Sequence, residues 1–406
     1  MHRIRRLASW ILLFTLPAAV GAGEWPQWRG PNQDGISTET GLLAKWPDGG
    51  PPELWRAELG IGFSGIVVAG GNACTQFSDG KDELLVCFDA AAGKERWRAA
   101  IGKQWNNAFG AHGARATPAV DGGRIYAGSA HGAVHAFDLA SGKRVWSRDF
   151  VAELGAKPPE HGYVLTPLVD GDRVYFNPGG KDGRGVVALD KRTGSTVWAS
   201  LDDPPAYAAP IAVDVDGRRQ IVFFTARGVV GVAAADGAEL WRYPWTTLGD
   251  LNAATPIYSV PYLFIASEDH GSALLRLSAA GAKEVWVSNG MQNKISTSVV
   301  VDGHLYGFHR NFLACVELAT GNEKWRQRGF GTGSVAVADG RLLVLGDKGQ
   351  LALAEITPGS YREISRADGI VGGQRTWTVP TVADGRLYLR DEAKLVCLNL
   401  RPAAGG

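Results

Sequence analysis

Between residue 64 and the C-terminus the chain repeats one pattern of apolar and polar positions. A β-branched run leads to a tight polar turn, a second and third apolar run follow, and a further turn introduces a run carrying tryptophan. TPAVDGGRIYAG around Asp121-Gly122 and TPLVDGDRVYFN around Asp170-Gly171 show the first half of the unit. Asp-Gly between apolar runs predicts a hairpin, because the turn needs positive φ that glycine supplies at little cost. The pair recurs at Asp216-Gly217, Asp302-Gly303, Asp339-Gly340 and Asp384-Gly385, and Gly70-Gly71 replaces it in the first unit. Val260-Pro261 in the fifth unit predicts a turn of another type. A third strand such as Val186–Asp190 then reaches a Thr-Gly or Ser-Gly turn and the tryptophan strand, so each unit reads as a four-stranded antiparallel meander.

The tryptophans set the period. AAAGKERW ends at Trp97, LASGKRVW at Trp146, KRTGSTVW at Trp198, AADGAELW at Trp241, AAGAKEVW at Trp286 and LATGNEKW at Trp325. Spacings of 39 to 52 residues suit four short strands with turns. One meander leaves an apolar face uncovered, so copies must stack radially until the ring closes, and the fold expected is an all-β propeller. First strands begin at Ser64, Thr117, Thr166, Ala209, Thr255, Thr297, Ser334 and Val379, which predicts eight blades. The last unit ends in LYLRDEAKLVCLNL without a tryptophan strand, whereas PELWRAELG places Trp55 ahead of the first complete unit. Blade eight is therefore expected to be closed by both ends of the chain. The seventh unit has Tyr361 where a tryptophan belongs, which keeps a seven-bladed ring as the alternative.

The first residues change the picture of where the chain works. Arg3, Arg5 and Arg6 precede an apolar run from Leu7 to Leu16, and Val20-Gly21-Ala22 supplies small residues for cleavage, the features of a secretory leader. The run is shorter than the 20 or so residues a membrane span needs. The expected division is a signal peptide over 1–22, an N-terminal extension over 23–52 that packs on the propeller, one propeller over 53–401 and a tail over 402–406. No cysteine lies near the cleavage site to carry a lipid anchor, so a soluble periplasmic or secreted monomer is expected. The formal charge of +1 falls to −2 without the leader arginines, which offers no electrostatic footprint for nucleic acid. Trp25, Trp28 and Arg29 lie ahead of the ring, and either strap a partner or cover apolar surface of the propeller.

Four cysteines suit a fold held by its core rather than by bridges. Cys87, Cys315 and Cys397 occupy one repeat position, where other units have Ala136, Ala188 and Gly231. Cys74 faces Cys87 across a hairpin near Gly80, so this pair is either a disulfide or two free thiols.

The recurring AxDxxTGxxxW, clearest as Ala188, Asp190, Thr193, Gly194 and Trp198, resembles the tryptophan-docking motif of pyrroloquinoline quinone (PQQ)-type propellers over roughly residues 54 to 401. The resemblance implies that Trp55, Trp97, Trp146, Trp198, Trp241, Trp286 and Trp325 wedge between blades. Two groups share these repeats: quinoprotein dehydrogenases, which use PQQ and calcium on alcohols or sugars, and the BamB family of outer-membrane assembly lipoproteins, which bind partners without cofactor. The length is nearer the second group. WPQWRGPNQDG, HGARATP, DDPPAYAAP and STSVVVDGHLYGFH look like a third set, exported PQQ-like propellers of unassigned function.

In such a ring the residues just before each innermost strand face the axis. They are His112, Arg115, His161, Tyr163, Tyr207, Asn252, Lys294, Arg375 and Trp377. If Arg115, Lys294 and Arg375 converge they suit an acidic ligand such as a tricarboxylate quinone, with Trp377 or Tyr207 on its plane. The alternative is that these residues anchor loops and cap a water-filled channel. Dehydrogenases of the family set a disulfide of neighbouring cysteines against the quinone, and no two cysteines are adjacent here. Asp250 and Asn252 could give calcium oxygens, but a third ligand is not identifiable. His161 and Tyr163 suggest acid–base work or a solvated loop pair. No HExxH, CxxC, GxSxG or phosphate-loop pattern occurs, so no catalytic residue and no metal site is assigned. The expectation is a cofactor-free binding or scaffold module with a protein or polymer partner in the cell envelope. The alternative is a PQQ-dependent oxidoreductase.

Overall fold

The computed structural model describes residues 23–106, 110, 112–372 and 375–402. The expected leader at 1–22 and residues 403–406 of the expected tail lie outside them. The strands form eight four-stranded antiparallel sheets. Blade three runs Leu168–Asp170, Arg173–Phe176, Val186–Asp190 and Thr196–Ser200, innermost first. Blade eight takes Thr381–Ala383, Arg386–Arg390 and Lys394–Asn399 from the C-terminus, and Glu53–Glu58 pairs antiparallel with the last of these. Unit seven, despite its missing tryptophan, is a complete sheet of Ser334–Ala338, Arg341–Leu345, Leu351–Glu355 and Glu363–Ala367. The ring therefore has eight blades and not seven.

The hairpins form as their residues dictate. Asp216, Asp302, Asp339 and Asp384 take φ of 48 to 51° and the glycine after each takes 67 to 78°, a turn whose two central residues both lie in the left-handed region. Middle strands are buried on both faces. Val187 and Leu189 pack towards Tyr126 and Trp146 of blade two, while Val186 and Ala188 pack towards Ile221 and Val230 of blade four. A strand sandwiched between two neighbouring sheets has no wet face, which is why these runs are continuously apolar.

Six of the seven repeat tryptophans dock forward. The indole N–H groups of Trp55, Trp97, Trp146, Trp198, Trp286 and Trp325 donate to Ala90 O, Leu139 O, Lys191 O, Ala234 O, Leu318 O and Thr357 O of the next blade, at 2.9 to 3.1 Å. Trp241 is the exception, donating to Gln220 Oε1 of its own blade at 2.7 Å. The cause lies in blade five, where Ser278 pairs with Gly281 across a two-residue turn and the longer Asp-x-x-Thr-Gly loop is missing. Trp241 folds over Gly231 instead, where a Cβ would sit 2.3 Å from the ring.

Cys74 and Cys87 are directly paired on adjacent strands and joined by a disulfide. Cys315 and Cys397 are buried thiols, opposite Trp325 and Trp55.

The segment 23–52 does more than cover the outside. Trp25 forms a reciprocal backbone bridge with Val68 on the inner strand of blade one, Val120 N donates to Pro26 O in blade two, and Ile36 bridges Val337 in blade seven. Gln33 Nε2 donates to Pro210 O of blade four. The Arg29 guanidinium, 1% exposed, donates to Thr297 O and Ser298 O of blade six and to Gln33 O and Asp34 O of its own segment. Residues 25 to 37 thus thread the axial channel as a finger. Glu24 accepts from Gly70 N and Glu39 from Gly385 N, both in inner hairpin turns, so the finger enters and leaves at the hairpin end. Trp46 then buries itself between blades seven and eight. An eight-bladed ring leaves an axial hole wider than its inner side chains can fill, and this segment fills it.

Candidate ligand-binding mouth

At the other end of the channel a cavity of about 420 Å³ remains open. Its floor is Trp28 at the tip of the finger, and its walls are the loops leading into the inner strands. Arg115, His161, Tyr207, Lys294, Arg375 and Trp377 all line it, so three cations predicted from separate blades share one pocket. Three of the expected mouth residues do not reach it. Tyr163 is 1% exposed and gives its hydroxyl to Pro178 O at 2.8 Å, a core role. Asn252 is fully buried, its amide donating to Thr225 O and Trp245 O, because the loop between blades four and five needs those carbonyls satisfied. His112 is half-buried outside the cavity wall. The offset from the inner strand places six of the nine on the cavity wall, but it does not say whether a side chain turns to the axis or behind the loop.

One wall is a ladder of cations and rings. Arg115 lies over Phe63 at 5.8 Å, Phe63 is 5.0 Å from Trp377, and Arg375 lies over Trp377 at 5.5 Å. Arg115 also donates to His161 O at 3.1 Å, and burial holds its guanidinium below the usual value. Next to Arg115 the His161 ring lies 5.7 Å from Tyr207, and burial, then Arg115, depresses its imidazole. Lys294 pairs with Glu268 at 3.2 Å, and Arg375 lies 3.7 Å from Glu392, whose carboxyl burial raises. Three cations against the two carboxylates Glu268 and Glu392 leave this end of the channel with a positive excess.

A collar of hydroxyls stitches the blades just beneath. Gly65 N donates to Thr117 Oγ1 at 2.8 Å, Thr117 N to Thr166 Oγ1 at 3.2 Å, and Thr255 N to Thr297 Oγ1 at 2.9 Å. Thr117, Thr166 and Thr255 also line the cavity. They, with Phe63 and Glu268, were missed from the sequence. Phe63 stands immediately before Ser64 and was findable by the same offset; Glu268 lies in a turn between second and third strands and has no periodic signal.

The residues do not fit a calcium–quinone centre. Asn252 is spent inside its loop, Asp250 is exposed, and among the described residues no group of three or more His, Cys, Asp or Glu is placed to hold a metal. The disulfide belongs to the packing between blades one and two and does not line the cavity.

Fold and site together define an eight-bladed propeller whose axial channel is plugged at one end and open at the other. The chain belongs to the PQQ-like propeller family described as outer membrane protein assembly factor BamB, whose model matches residues 47–113, 102–327 and 309–399. Among solved structures it is similar to BamB from Moraxella catarrhalis, at 16% identity with TM-score 0.63, covering 86% of this chain and 99% of that one. A europium-containing methanol dehydrogenase is similar at 14% identity with TM-score 0.53, covering 82% and 89%. The quinohemoprotein alcohol dehydrogenase of Comamonas testosteroni is similar at 12% identity with TM-score 0.52, covering 96% and 83%. At these identities the likeness is one of fold. No curated protein matches the chain at a significant level.

Proposed function

We propose that this protein is an exported, cofactor-free binding module of the cell envelope, which holds a protein or polymer partner at the open mouth of its channel. The observation that carries the reading is the single-ended cavity, in which residues outside the repeat bring Arg115, Lys294 and Arg375 together above Trp28. Structural repeats hold a ring together; unrepeated groups gathered at one end are what a binding function requires. The family description supports an envelope assembly role. The leader pattern of Arg3 to Ala22 and the Cys74–Cys87 disulfide both suit an oxidising compartment outside the cytoplasm. Among the described residues no helix is long and apolar enough to cross a membrane.

The test is capture in the native envelope by crosslinkers placed on the mouth and, separately, on the hairpin end. Recovery of one partner from the mouth alone is expected. Equal recovery from both ends, or none from either, removes the reading. Titration with PQQ and Ca2+ addresses the oxidoreductase reading: stoichiometric quinone binding with dye-linked alcohol oxidation would establish it instead.

A further inference from the structure

The hydrogen-bonding inventory of the cavity is one-sided. Thr117 Oγ1, Thr166 Oγ1 and Thr255 Oγ1 each accept an N–H, from Gly65, Thr117 and the Trp28 indole, and Tyr207 Oη accepts from His161 N. None of these four hydroxyls donates to a described residue in turn, so each keeps its own proton to give. All four belong to residues no more than 8% exposed, on the cavity wall. Arg375 uses only Nη1, on Gly110 O and Glu392, and Lys294 meets only Glu268, so among the described residues both retain donors. Against this row of donors the lining offers one carboxylate, Glu268. Donors on a cavity wall that find no protein acceptor are left to water, and a ligand that supplies several acceptors at once replaces that water with direct bonds.

We infer that the mouth takes a small carboxylic acid. Its carboxylate lies between Arg375 and Lys294, its remaining oxygens accept from the threonine and tyrosine hydroxyls, and its body lies against Trp377, Phe63 and the Trp28 floor. The volume of about 420 Å³ fits a ligand of one or two rings, or a single acidic residue of a longer chain. Charge-assisted bonds to a guanidinium favour a carboxylate over a neutral carbonyl of the same shape. The inference rests on the mouth being the binding face and names the chemistry it selects.

The experiment is calorimetry and tryptophan fluorescence on the purified exported chain with four probes: citrate, glucuronate, an acidic peptide Asp-Glu-Asp, and the methyl ester of glucuronate. Binding of at least one acid and at least tenfold weaker binding of the ester are expected, with Arg375→Ala costing a further tenfold or more and Arg375→Lys restoring part. Glucuronate or citrate alone identifies a free acid as the source, and the peptide alone identifies an acidic segment of a partner. Absence of binding by every acid up to about 10 mM overturns the inference, as does equal binding of acid and ester. Circular dichroism and the melting temperature of Arg375→Ala establish that the variant is folded. If mouth crosslinking still recovers a partner while no acid binds, the carboxylate inference fails and the binding-module reading stands.

Discussion

The Trp28 indole N–H donates to Thr255 Oγ1 at 2.9 Å, joining residues 227 apart in sequence and fixing the floor of the cavity to the wall of blade five. The same hydroxyl oxygen belongs to a residue whose backbone N–H is held by Thr297, so finger, blade five and blade six share one network. Arg29, the next residue, ties the finger to blade six through Thr297 O and Ser298 O.

Trp28→Ala should therefore cost about 1–3 kcal/mol, from one lost bond and a partly buried ring, and should open the cavity into the channel. Trp28→Phe keeps the ring and should fall between. Urea denaturation of the three proteins gives the stabilities, and an unchanged midpoint in Trp28→Ala would show that the finger does not contribute to the ring.

Gly231 and Ala188 occupy the same position in successive blades, yet only Gly231 lies beneath a tryptophan that has turned back on its own sheet. Gly231→Ala should cost about 1–3 kcal/mol, because the Trp241 ring has to move and its bond to Gln220 Oε1 goes with it. Gln220→Leu should cost a similar amount. If Gly231→Ala is neutral in chemical denaturation, the backward docking of Trp241 is wrong.

The disulfide closes a short loop, Cys74 to Cys87 being 13 residues apart. Replacing both with alanine should lower stability by about 2–4 kcal/mol, with the larger part expected from the freedom regained by the unfolded chain. Thiol titration of the unreduced, denatured protein should find two thiols, those of Cys315 and Cys397. Four thiols in protein recovered unreduced from an oxidising compartment would exclude the bridge.

Glu83 is fully buried, accepts from Ala130 N at 2.9 Å, and burial pushes its carboxyl up from 4.5 to about 7. A raised value means that the folded state holds the proton more tightly than the unfolded one. The stabilisation is complete below about 4.5 and is lost as pH rises through about 7, a change on the order of 3 kcal/mol. Glu83→Gln should be less sensitive to pH across that window than the wild type. Parallel melting curves from pH 4.5 to 8 test it, and identical slopes in the two proteins would show that Glu83 ionises normally.

The fold was legible because its signals are local and repeated. Asp302-Gly303 makes its turn from its own backbone preferences, and Val186–Asp190 announces a strand buried on both faces by its own composition. Trp55 at one end and the orphan strand at the other implied the closure that Glu53–Glu58 makes on Lys394–Asn399. The offset brought six of the nine expected residues to the cavity, while His112, Tyr163 and Asn252 lie off its wall, because offset carries no side-chain direction.

The sequence by itself determined the unit, the count of units and the way the ring closes, since each follows from short-range propensity and a period. Only the tertiary structure decided that Trp28 stands under Arg115, Lys294 and Arg375, that Trp241 docks backwards, and that residues 25 to 37 fill the channel. These relationships join residues far apart in the chain through contacts that occur once, and a contact that occurs once leaves no period to read.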